Sequence, residues 1–512
     1  MAHRLVLDGS SLTLESLRPI ARGEEVLVAI ASGALRAVAR ARQSVEQHLR
    51  AGKAVYGLNT GFGKLKGVAV GERDLLRLQR NLVLSHACGV GAPMPREEVR
   101  IAQVLRLNGL VRGHSGVTTG LVERLVSLFN RGFVPVVPRQ GSVGASGDLA
   151  PLAHMASAYL GEGEAWDGER RRPAREVLAA LGEAPLELGV KEGLALVNGT
   201  EVVKALAVLA CLRAENLSKA ADAIAALTIE ALLGSERPFD ERLAGMKGHD
   251  GHRRASANVR ACLAGSQAMR SHADCGRVQD PYSLRCVPQI HGACKEALAH
   301  LRAILERELN AVTDNPLVFP DTGEVVSAGQ FHAQPLALPL DYIAISIATL
   351  ANVSERRVEQ LVNPDLSGLN AFLAPEPGLN SGLMIAQVTA AALASENKVL
   401  AHPASADSIP TSANQEDHVS MGVTAGRKAL EVAENTASVL AIEWVCAAQA
   451  REFRRELRAG KGSEAAQSLL RTRVAPLGDD RLLAPDLAAA RDLLRTGELV
   501  RAVEAVTGEL LA

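Results

Sequence analysis

Apolar residues recur at helical spacing over long stretches of the second half of the chain. The longest stretch, EVVKALAVLACLRAENLSKAADAIAALTIEALLGS, begins at Glu201 and reaches Gly234 before it meets a glycine or a proline. Ala and Leu favour helices and Gly and Pro interrupt them, so this stretch predicts one long helix. Similar patterns predict long helices at residues 293–312, 339–361, 382–400 and 420–451.

The first part of the chain has shorter patterns. Helical spacing at residues 11–18, 27–52, 74–85 and 97–106 is separated by Gly-rich loops, and residues 133–138 and 317–320 have the composition of short strands. Aromatic residues make up only 3% of the chain, as expected where helices pack closely. We therefore predict a mainly α protein, with a smaller mixed domain at residues 1–200 and a long-helix bundle at 201–512 that ends in short helices.

Composition narrows the class of protein. With 512 residues and 47% hydrophobic content, the chain can bury a large core. The 56 basic and 57 acidic residues nearly cancel, so no field attracts nucleic acid or an anionic membrane, and a small molecule is the expected partner. The apolar runs are shorter than the roughly 20 residues that span a bilayer, and no secretion signal opens the chain, so a cytoplasmic protein is expected.

The cysteines and histidines do not predict a metal site. The seven cysteines include no CxxC pair, which argues against a zinc site, and their odd number argues against a disulfide framework. His249 and His252 in GHDGH lack accompanying ligands at motif spacing. We therefore expect free thiols and no metal.

The most unusual local sequence is PRQGSVGASGDLAPLAHMA at residues 138–156. Gly141, Gly144 and Gly147 free the backbone around Ser146 before a helical pattern begins. The spacing lacks the lysine of a phosphate loop and the GxGxxG of a dinucleotide site, which excludes a nucleotide cofactor of either kind. It also lacks the final glycine of a GxSxG nucleophile elbow, so a hydrolase is not favoured.

This segment, GSVGASGDLAPLAH, resembles the signature of the aromatic amino acid ammonia-lyase family. The resemblance implies that Ala145, Ser146 and Gly147 cyclise into 4-methylidene-imidazol-5-one (MIO). The Gly147 nitrogen reaches the Ala145 carbonyl only in a compressed turn, and loss of the Ser146 hydroxyl then exposes an electrophilic methylene. A substrate amine that adds to it becomes a better leaving group while a base removes the β-proton.

Two further segments resemble parts of the same family. YGLNTGFGKL at residues 56–65 resembles its tyrosine loop, which makes Tyr56 the leading acid/base candidate. VQDPYSLRCVPQIHG at residues 278–292 offers Gln279, Tyr282 and Arg285 to the substrate. The resemblance implies that Arg285 binds the substrate carboxylate through paired donors. It also places Tyr282 near the electrophile and the substrate amine, and leaves open how proton transfer is divided between Tyr282 and Tyr56.

Two more positions follow from the resemblance. Asn198 in LALVNGT stands just before the long helix, where Asn198 or Thr200 could cap it; the family implies a polar contact to the electrophile, and both roles can hold. SAGQFHAQPLA at residues 327–337 carries Phe331 as an apolar wall of the pocket. The family pattern has Asn where Gln330 stands and commonly Glu where Gln334 stands, so this segment departs from it.

The substrate expected from the resemblance is L-histidine, with trans-urocanate and ammonia as products. His86, preceded by Ser85, occupies the family's selectivity position, where a phenylalanine-specific member would have an apolar pair. Glu416 in TSANQEDHVSMG supplies a carboxylate that pairs with an imidazole and would be wasted beside a phenyl ring.

The resemblance extends from the tyrosine loop to Glu416 in the family's order, and it implies an ammonia-lyase/fumarase-like long-helix fold and a homotetramer whose sites are shared between subunits. One alternative is a tyrosine or phenylalanine ammonia-lyase or an aromatic 2,3-aminomutase, which Ser85, His86 and Glu416 oppose. Another is an inactive helical scaffold, which the intact Ala-Ser-Gly tripeptide opposes.

Overall fold

The computed structural model describes residues 3–51, 57–273 and 275–512, and helix dominates them. Helices account for 60% of the residues and strands for 8%, which confirms the prediction of a mainly α protein. The described residues form 21 α-helices: α1 Leu14–Ala21, α2 Ser32–Arg50, α3 Leu75–His86, α4 Arg96–Val111, α5 Thr119–Asn130, α6 Leu149–Tyr159, α7 Ala174–Ala180, α8 Glu192–Val197, α9 Glu201–Ala231, α10 Glu241–Lys247, α11 Asp250–Leu263, α12 Gln267–Ser271, α13 Tyr282–Arg285, α14 Val287–Glu308, α15 Gln334–Val362, α16 Pro364–Ser367, α17 Met384–Leu400, α18 Gly422–Glu452, α19 Lys461–Arg471, α20 Ala484–Arg495 and α21 Glu498–Thr507.

The strands form four separate two-stranded sheets within the described residues. They are β1 His3–Leu7, β2 Val26–Ile30, β3 Val90–Pro93, β4 Pro138–Gln140, β5 Glu164–Asp167, β6 Arg170–Pro173, β7 Leu317–Phe319 and β8 Glu324–Val326. β1 pairs with β2 in parallel, from His3 opposite Val26 to Leu7 opposite Ile30, and the other three pairs are antiparallel. Sheets this small serve to fix loops around the helices.

The chain divides into two compact units. The first consists of residues 1–209, 302–340 and 403–427, and the second of residues 210–301, 341–402 and 428–512. All eight described strands lie in the first unit. The chain returns to the first unit twice after leaving it, and the boundary at residue 200 stays a prediction.

The long-helix predictions agree with the structure to within a few residues, as for α9, α17 and α18. Two local predictions differ from the structure. Of the predicted strand at residues 133–138, only Pro138 lies in a strand, β4. Residues 27–30, included in a predicted helix, belong to strand β2. These residues pair with β1, some twenty positions earlier in the chain. A run of Val, Leu, Val, Ala and Ile suits a strand as well as a helix, and only the distant partner decides between them.

Helix α2 shows how the sequence builds the first unit. Its buried residues include Ala34, Val38, Ala41 and Val45, which are spaced three or four apart and therefore share one face. Ala41 and Val45 belong to an apolar cluster that also contains Leu58, Leu75, Val190 and Val318. This cluster anchors the loop at residues 57–66, the start of α3 and the segment before α8, all of which lead to the site described below.

Among the described residues, one helix is long and apolar enough to cross a membrane by composition alone. This helix is Gln334–Val362, and 72% of its most apolar 18-residue window is buried inside the protein. Such burial is typical of a core helix in a folded protein.

Candidate functional site

The loop that carries the Ala-Ser-Gly tripeptide depends on glycines with left-handed backbone angles. Gly144 has φ +70° and Gly147 has φ +72°, a region that side chains with a Cβ rarely adopt. A Cβ on Gly147 would overlap the carbonyl oxygen of Gly199, and one on Gly144 would overlap the hydroxyl of Ser420. Glycine is therefore required at both positions by angle and by space.

The tripeptide is held against the start of helix α9. Gly147 forms a parallel bridge with Gly199, and the Asp148 amide donates to the Gly199 carbonyl at 2.7 Å. Asp148 Oδ2 accepts hydrogen bonds from the amides of Val202 at 2.9 Å and Val203 at 2.8 Å. Asp148 therefore caps this helix and fixes the tripeptide to it.

Neither Asn198 nor Thr200 caps α9 with its side chain, although the sequence allowed either to do so. The side-chain amide of Asn198 donates to the carbonyl of Asn315 at 3.0 Å, and the Thr200 hydroxyl has no hydrogen-bond partner among the described residues. A cap from fifty residues upstream could not be read from the sequence around the helix start.

Asp148 is fully buried, and its environment changes its titration. Burial raises the pKa of Asp148 to about 7, although the amide of Val203 acts in the opposite direction, and nearby Glu201 adds to the increase. Arg106 pairs with Glu201 and donates to the carbonyl of Asn198 at 3.0 Å. A buried ion pair thus supports the backbone directly behind the tripeptide.

A cavity of about 970 Å³, here named the Ser146 cavity, opens in front of the tripeptide. Every described residue that lines it belongs to the first unit. Six of the residues singled out from the sequence lie together in this lining: His86, Ala145, Ser146, Asn198, Phe331 and Glu416. The volume suits a small-molecule ligand.

A second cavity of about 230 Å³ adjoins the same tripeptide. It shares His86, Ala145 and Glu416 with the Ser146 cavity and adds Gly147 and Cys88. The tripeptide therefore borders two cavities.

Glu416 faces the hydroxyl of the tripeptide serine. Ser146 Oγ donates to Glu416 Oε1 at 3.3 Å, and Thr411 Oγ1 donates to Glu416 Oε2 at 2.7 Å. The backbones of Thr411 and Glu416 also pair, across a turn in which residues 412–414 all have positive φ between 50° and 66°. Strained turns of this kind persist where the surrounding structure holds a functional side chain in place.

The loop that follows the predicted tyrosine contacts this turn. Lys66 Nζ donates to Gln415 Oε1 at 2.9 Å, and a Cβ on Gly63 would lie 2.8 Å from the hydroxyl of Ser412. The two loops thus form one rim of the Ser146 cavity, which Lys66 and Gln415 both line.

His86 ends helix α3 with its ring in the same cavity as Glu416. Its Nδ1 lies 3.1 Å from Ser85 Oγ. Burial lowers the pKa of His86, while the Leu82 carbonyl and the Glu416 carboxylate act in the opposite direction. The ring is therefore neutral near pH 7 and can both donate and accept a hydrogen bond.

Asn198 and Phe331 complete the wall behind the tripeptide. Asn198 is buried, and its Oδ1 has no hydrogen-bond partner within the described parts of the chain. Phe331 is half-buried in the lining just before helix α15. Gln330 is exposed, and the buried Oε1 of Gln334, at the start of α15, also lacks a partner among the described residues.

The structure does not bring Gln279, Tyr282 and Arg285 into the Ser146 cavity. They belong to the second unit, and none of them is part of the cavity lining. Tyr282 is 68% exposed, and the Arg285 guanidinium lies 4.5 Å from the centre of its ring while Arg285 Nε donates to the Asp280 carbonyl at 2.9 Å. Tyr56 lies outside the described residues.

Two residues of the site were missed from the sequence. Thr411 donates a hydrogen bond to Glu416, and Asp148 accepts hydrogen bonds at the start of α9. Neither residue type is unusual for the segment in which it stands. The signal for Asp148 was its position directly after the tripeptide; Thr411 had no comparable signal. Their roles depend on contacts that the sequence does not reveal.

The residues present fit the formation of MIO. The turn has the glycine that cyclisation needs at Gly147, the backbone of Gly199 leaves no room for a side chain at that position, and the Ser146 hydroxyl faces an open cavity. The unpartnered Asn198 Oδ1 offers an additional polar contact there. Among the described residues, no group of three or more His, Cys, Asp and Glu side chains is placed to hold a metal ion.

This chain is similar to known proteins over nearly its whole length. The model of the family described as aromatic amino acid lyase matches residues 12–472. A protein named histidine ammonia-lyase from Anaeromyxobacter sp. (strain K) is 54% identical over 504 residues, covering 97% of this chain and 99% of that protein.

Solved structures share the fold. The histidine ammonia-lyase of Trypanosoma cruzi superposes with a TM-score of 0.92 at 42% identity, covering 98% of this chain and 95% of that one. The tyrosine aminomutase of Streptomyces globisporus gives 0.93 at 35% identity, covering 99% of this chain and 100% of its own. The Ala-Ser-Gly turn lies at the wall of a cavity, and the matches cover nearly the whole chain. The chain therefore belongs to the aromatic amino acid lyase family.

Proposed function

We propose that this protein is an ammonia-lyase that eliminates ammonia from L-histidine to give trans-urocanate, the first step of histidine degradation. The observation that carries this proposal is the position of Glu416, whose carboxylate lies 3.3 Å from the hydroxyl of Ser146 in one cavity with His86. An electrophile precursor and two partners suited to an imidazole ring thus line the same space. The relatives named histidine ammonia-lyase support the same substrate.

The electrophile proposed is MIO, formed from Ala145, Ser146 and Gly147 without a metal or a nucleotide. The backbone nitrogen of Gly147 attacks the carbonyl carbon of Ala145, and one water molecule leaves as the ring closes. A second water molecule leaves when Ser146 loses its hydroxyl and an α-proton. The positive φ of Gly147 and the close approach of the Gly199 backbone to it support this cyclisation.

The chain's own residues would bind the substrate and move its proton. MIO supplies the electrophile that makes the α-amino group a better leaving group. Glu416 and the neutral ring of His86 bind the imidazole, Phe331 packs against it, and Asn198 makes a polar contact beside the tripeptide. The base for the β-proton is one of Tyr56, Tyr282 or Glu416.

The active enzyme proposed is a homotetramer whose sites are shared between subunits. Arg285 is assigned to the substrate carboxylate, with Gln279 and Tyr282 beside it, yet these residues lie in the second unit and are absent from the lining of the Ser146 cavity. The large exposed surface of Tyr282 leaves it available to the cavity of another copy. A cytoplasmic location also remains a prediction, supported by seven cysteines that form no disulfide within the described residues.

The test compares substrates on the full-length protein and on a Glu416→Gln variant. Ammonia and the conjugated acid are measured with L-histidine, L-tyrosine and L-phenylalanine. We expect histidine to be preferred, and Glu416→Gln to lower kcat/KM for histidine by about a hundredfold or more, because a polar site loses its charged partner. The matched control is Glu169→Gln, since Glu169 is a 93% exposed carboxylate outside both cavities of the site.

The opposite results are equally informative. Preference for tyrosine or phenylalanine would refute the histidine assignment and leave the electrophile in place. A β-amino acid product without net ammonia release would indicate an aminomutase instead.

A further inference from the structure

The second unit contains another cavity, of about 780 Å³, which shares no lining residue with the Ser146 cavity. Five basic side chains line it, Arg451, Arg455, Arg458, Lys461 and Arg471, against only two acidic ones. Four of the five come from one short stretch, REFRRELRAGK at residues 451–461. We name it the arginine cavity; its excess positive charge favours an anionic ligand.

Arg451 is the buried base of the arginine cavity. Its side chain is enclosed, with 3% of the residue exposed, and its Nη2 donates to the carbonyl of Leu457. Its Nε and Nη1 have no hydrogen-bond partner among the described residues. A buried donor without an acceptor destabilises the fold, more so when it is charged, so these two atoms call for an acceptor.

The buried carboxylate of Glu230 does not supply that acceptor. Glu230 interacts electrostatically with Arg451 but forms no ion pair with it among the described contacts, and its Oε1 accepts the amide of Gly460 at 2.7 Å. Burial raises the pKa of Glu230, and the nearby charge of Arg451 acts in the opposite direction. Arg451 therefore keeps two guanidinium donors that no acceptor among the described residues fills.

The other basic side chains differ in how far they are already engaged. Arg471 is bound to Glu452, with Nε 3.0 Å from Oε1, and to the carbonyl of Val474 at 3.2 Å. Arg455, Arg458 and Lys461 are exposed and make no ion pair with any residue that the structure describes. Three exposed cations at the rim thus accompany one buried guanidinium at the base.

We propose that the arginine cavity binds a phosphorylated small molecule, with a phosphate group on Arg451 and the rim cations around it. Guanidinium groups match phosphate oxygens through paired donors, and several together favour a group that carries more than one negative charge. The cavity exceeds the size of a phosphate ion and lies within the range of small-molecule sites, so the ligand includes a further moiety.

The test measures binding of inorganic pyrophosphate to the full-length protein by calorimetry, at constant ionic strength and with a metal chelator present. Acetate is the matched anion control. We expect saturable binding of pyrophosphate, a higher Tm in its presence and no binding of acetate. No binding of pyrophosphate, or equal binding of acetate, would overturn the proposal.

Variants locate the binding. Arg451→Met removes the buried charge and should abolish binding, while the exposed double variant Arg455→Gln/Arg458→Gln should fold normally and weaken binding by about tenfold or more. Arg473→Gln, an exposed arginine outside the lining, is the control for net charge. If Arg451→Met does not fold, the double variant provides the test. Pyrophosphate binding equal to that of the wild type refutes the site. A double variant whose oligomer dissociates, with binding otherwise unchanged, refutes it as well.

Discussion

Two regions of the molecule use the same kinds of side chain for different purposes. In the second unit, Glu443 is fully buried and each of its oxygens accepts two hydrogen bonds: Oε1 from Thr228 at 2.7 Å and Arg357 at 2.6 Å, and Oε2 from Ser354 at 2.6 Å and Arg357 at 2.9 Å. In the first unit, Glu416 accepts side-chain bonds from Ser146 and Thr411 and faces a cavity.

The histidines of the two regions differ in the same way. His291 is completely buried, with Nδ1 2.7 Å from Asp222 and Nε2 3.3 Å from Arg357. Burial lowers the pKa of His291. Burial alone would raise the pKa of Asp222, but the charge of Lys295 and the hydrogen bond to His291 outweigh it and lower that pKa. His86, by contrast, makes one side-chain contact and otherwise faces the cavity.

The charged and polar groups of the two regions have different roles, one in the stability of the fold and the other in ligand binding. A buried group with every hydrogen-bond position filled stabilises the fold, and it has no capacity left for a ligand. A group with open positions beside a cavity costs stability and is retained where it binds something. Substitutions should therefore affect activity in the first region and stability in the second.

The largest expected effect is on activity, from Ser146→Ala. Without the hydroxyl the electrophile cannot form, and ammonia release from histidine should fall by about a thousandfold or more, as when a covalent catalyst is removed. Intact mass should show that wild type has lost two water molecules and the variant none. The exposed Ser10→Ala is the control, and substantial activity in Ser146→Ala would refute the mechanism.

The next effect is on stability, from Glu443→Gln. The Arg357 guanidinium would remain buried without its charged partner, at a cost of about 3–5 kcal/mol, seen as a lower Tm and lower soluble yield. Asp321→Asn is the control, because the Arg40–Asp321 pair is 63% and 85% exposed and should leave Tm unchanged. Equal Tm values for both variants would contradict the comparison.

A smaller effect on activity is expected from Thr411, a positioning residue for Glu416. Thr411→Val keeps the shape of the side chain but removes the donor at Oε2, so kcat/KM for histidine should fall by about tenfold. Thr411→Ser keeps the hydroxyl and should restore most of it. If the serine variant is as impaired as the valine variant, packing and not the hydrogen bond explains the loss.

The smallest effect is a change in pH dependence, from Asp148→Asn. Because the pKa of Asp148 is raised to about 7, the folded protein keeps a proton that the unfolded chain releases above its own pKa near 3.8. Stability from this group is therefore present at acid pH and is lost as the pH rises toward 7. The Tm advantage of wild type over Asp148→Asn should be larger at pH 5 than at pH 8; the reverse trend would refute the shift.

Much of the fold and part of the site could be predicted from local sequence. Long runs of Ala and Leu without Gly or Pro determine α9, because helix propensity and periodicity act within a few turns. The tripeptide was also recognisable from local sequence, because the turn that it needs depends on glycines only a few residues away. Glu416 and His86 could be singled out by resemblance, although their shared cavity could not.

The tertiary structure decided how distant groups are paired. It placed Asp148, and not Asn198 or Thr200, at the start of α9, and it made residues 27–30 a strand by supplying β1. It also filled every position around Glu443 while leaving Glu416 open to a cavity. Helix propensity is a local property, whereas caps, strand partners and hydrogen-bond satisfaction depend on which remote segments pack together, and only the folded chain determines that.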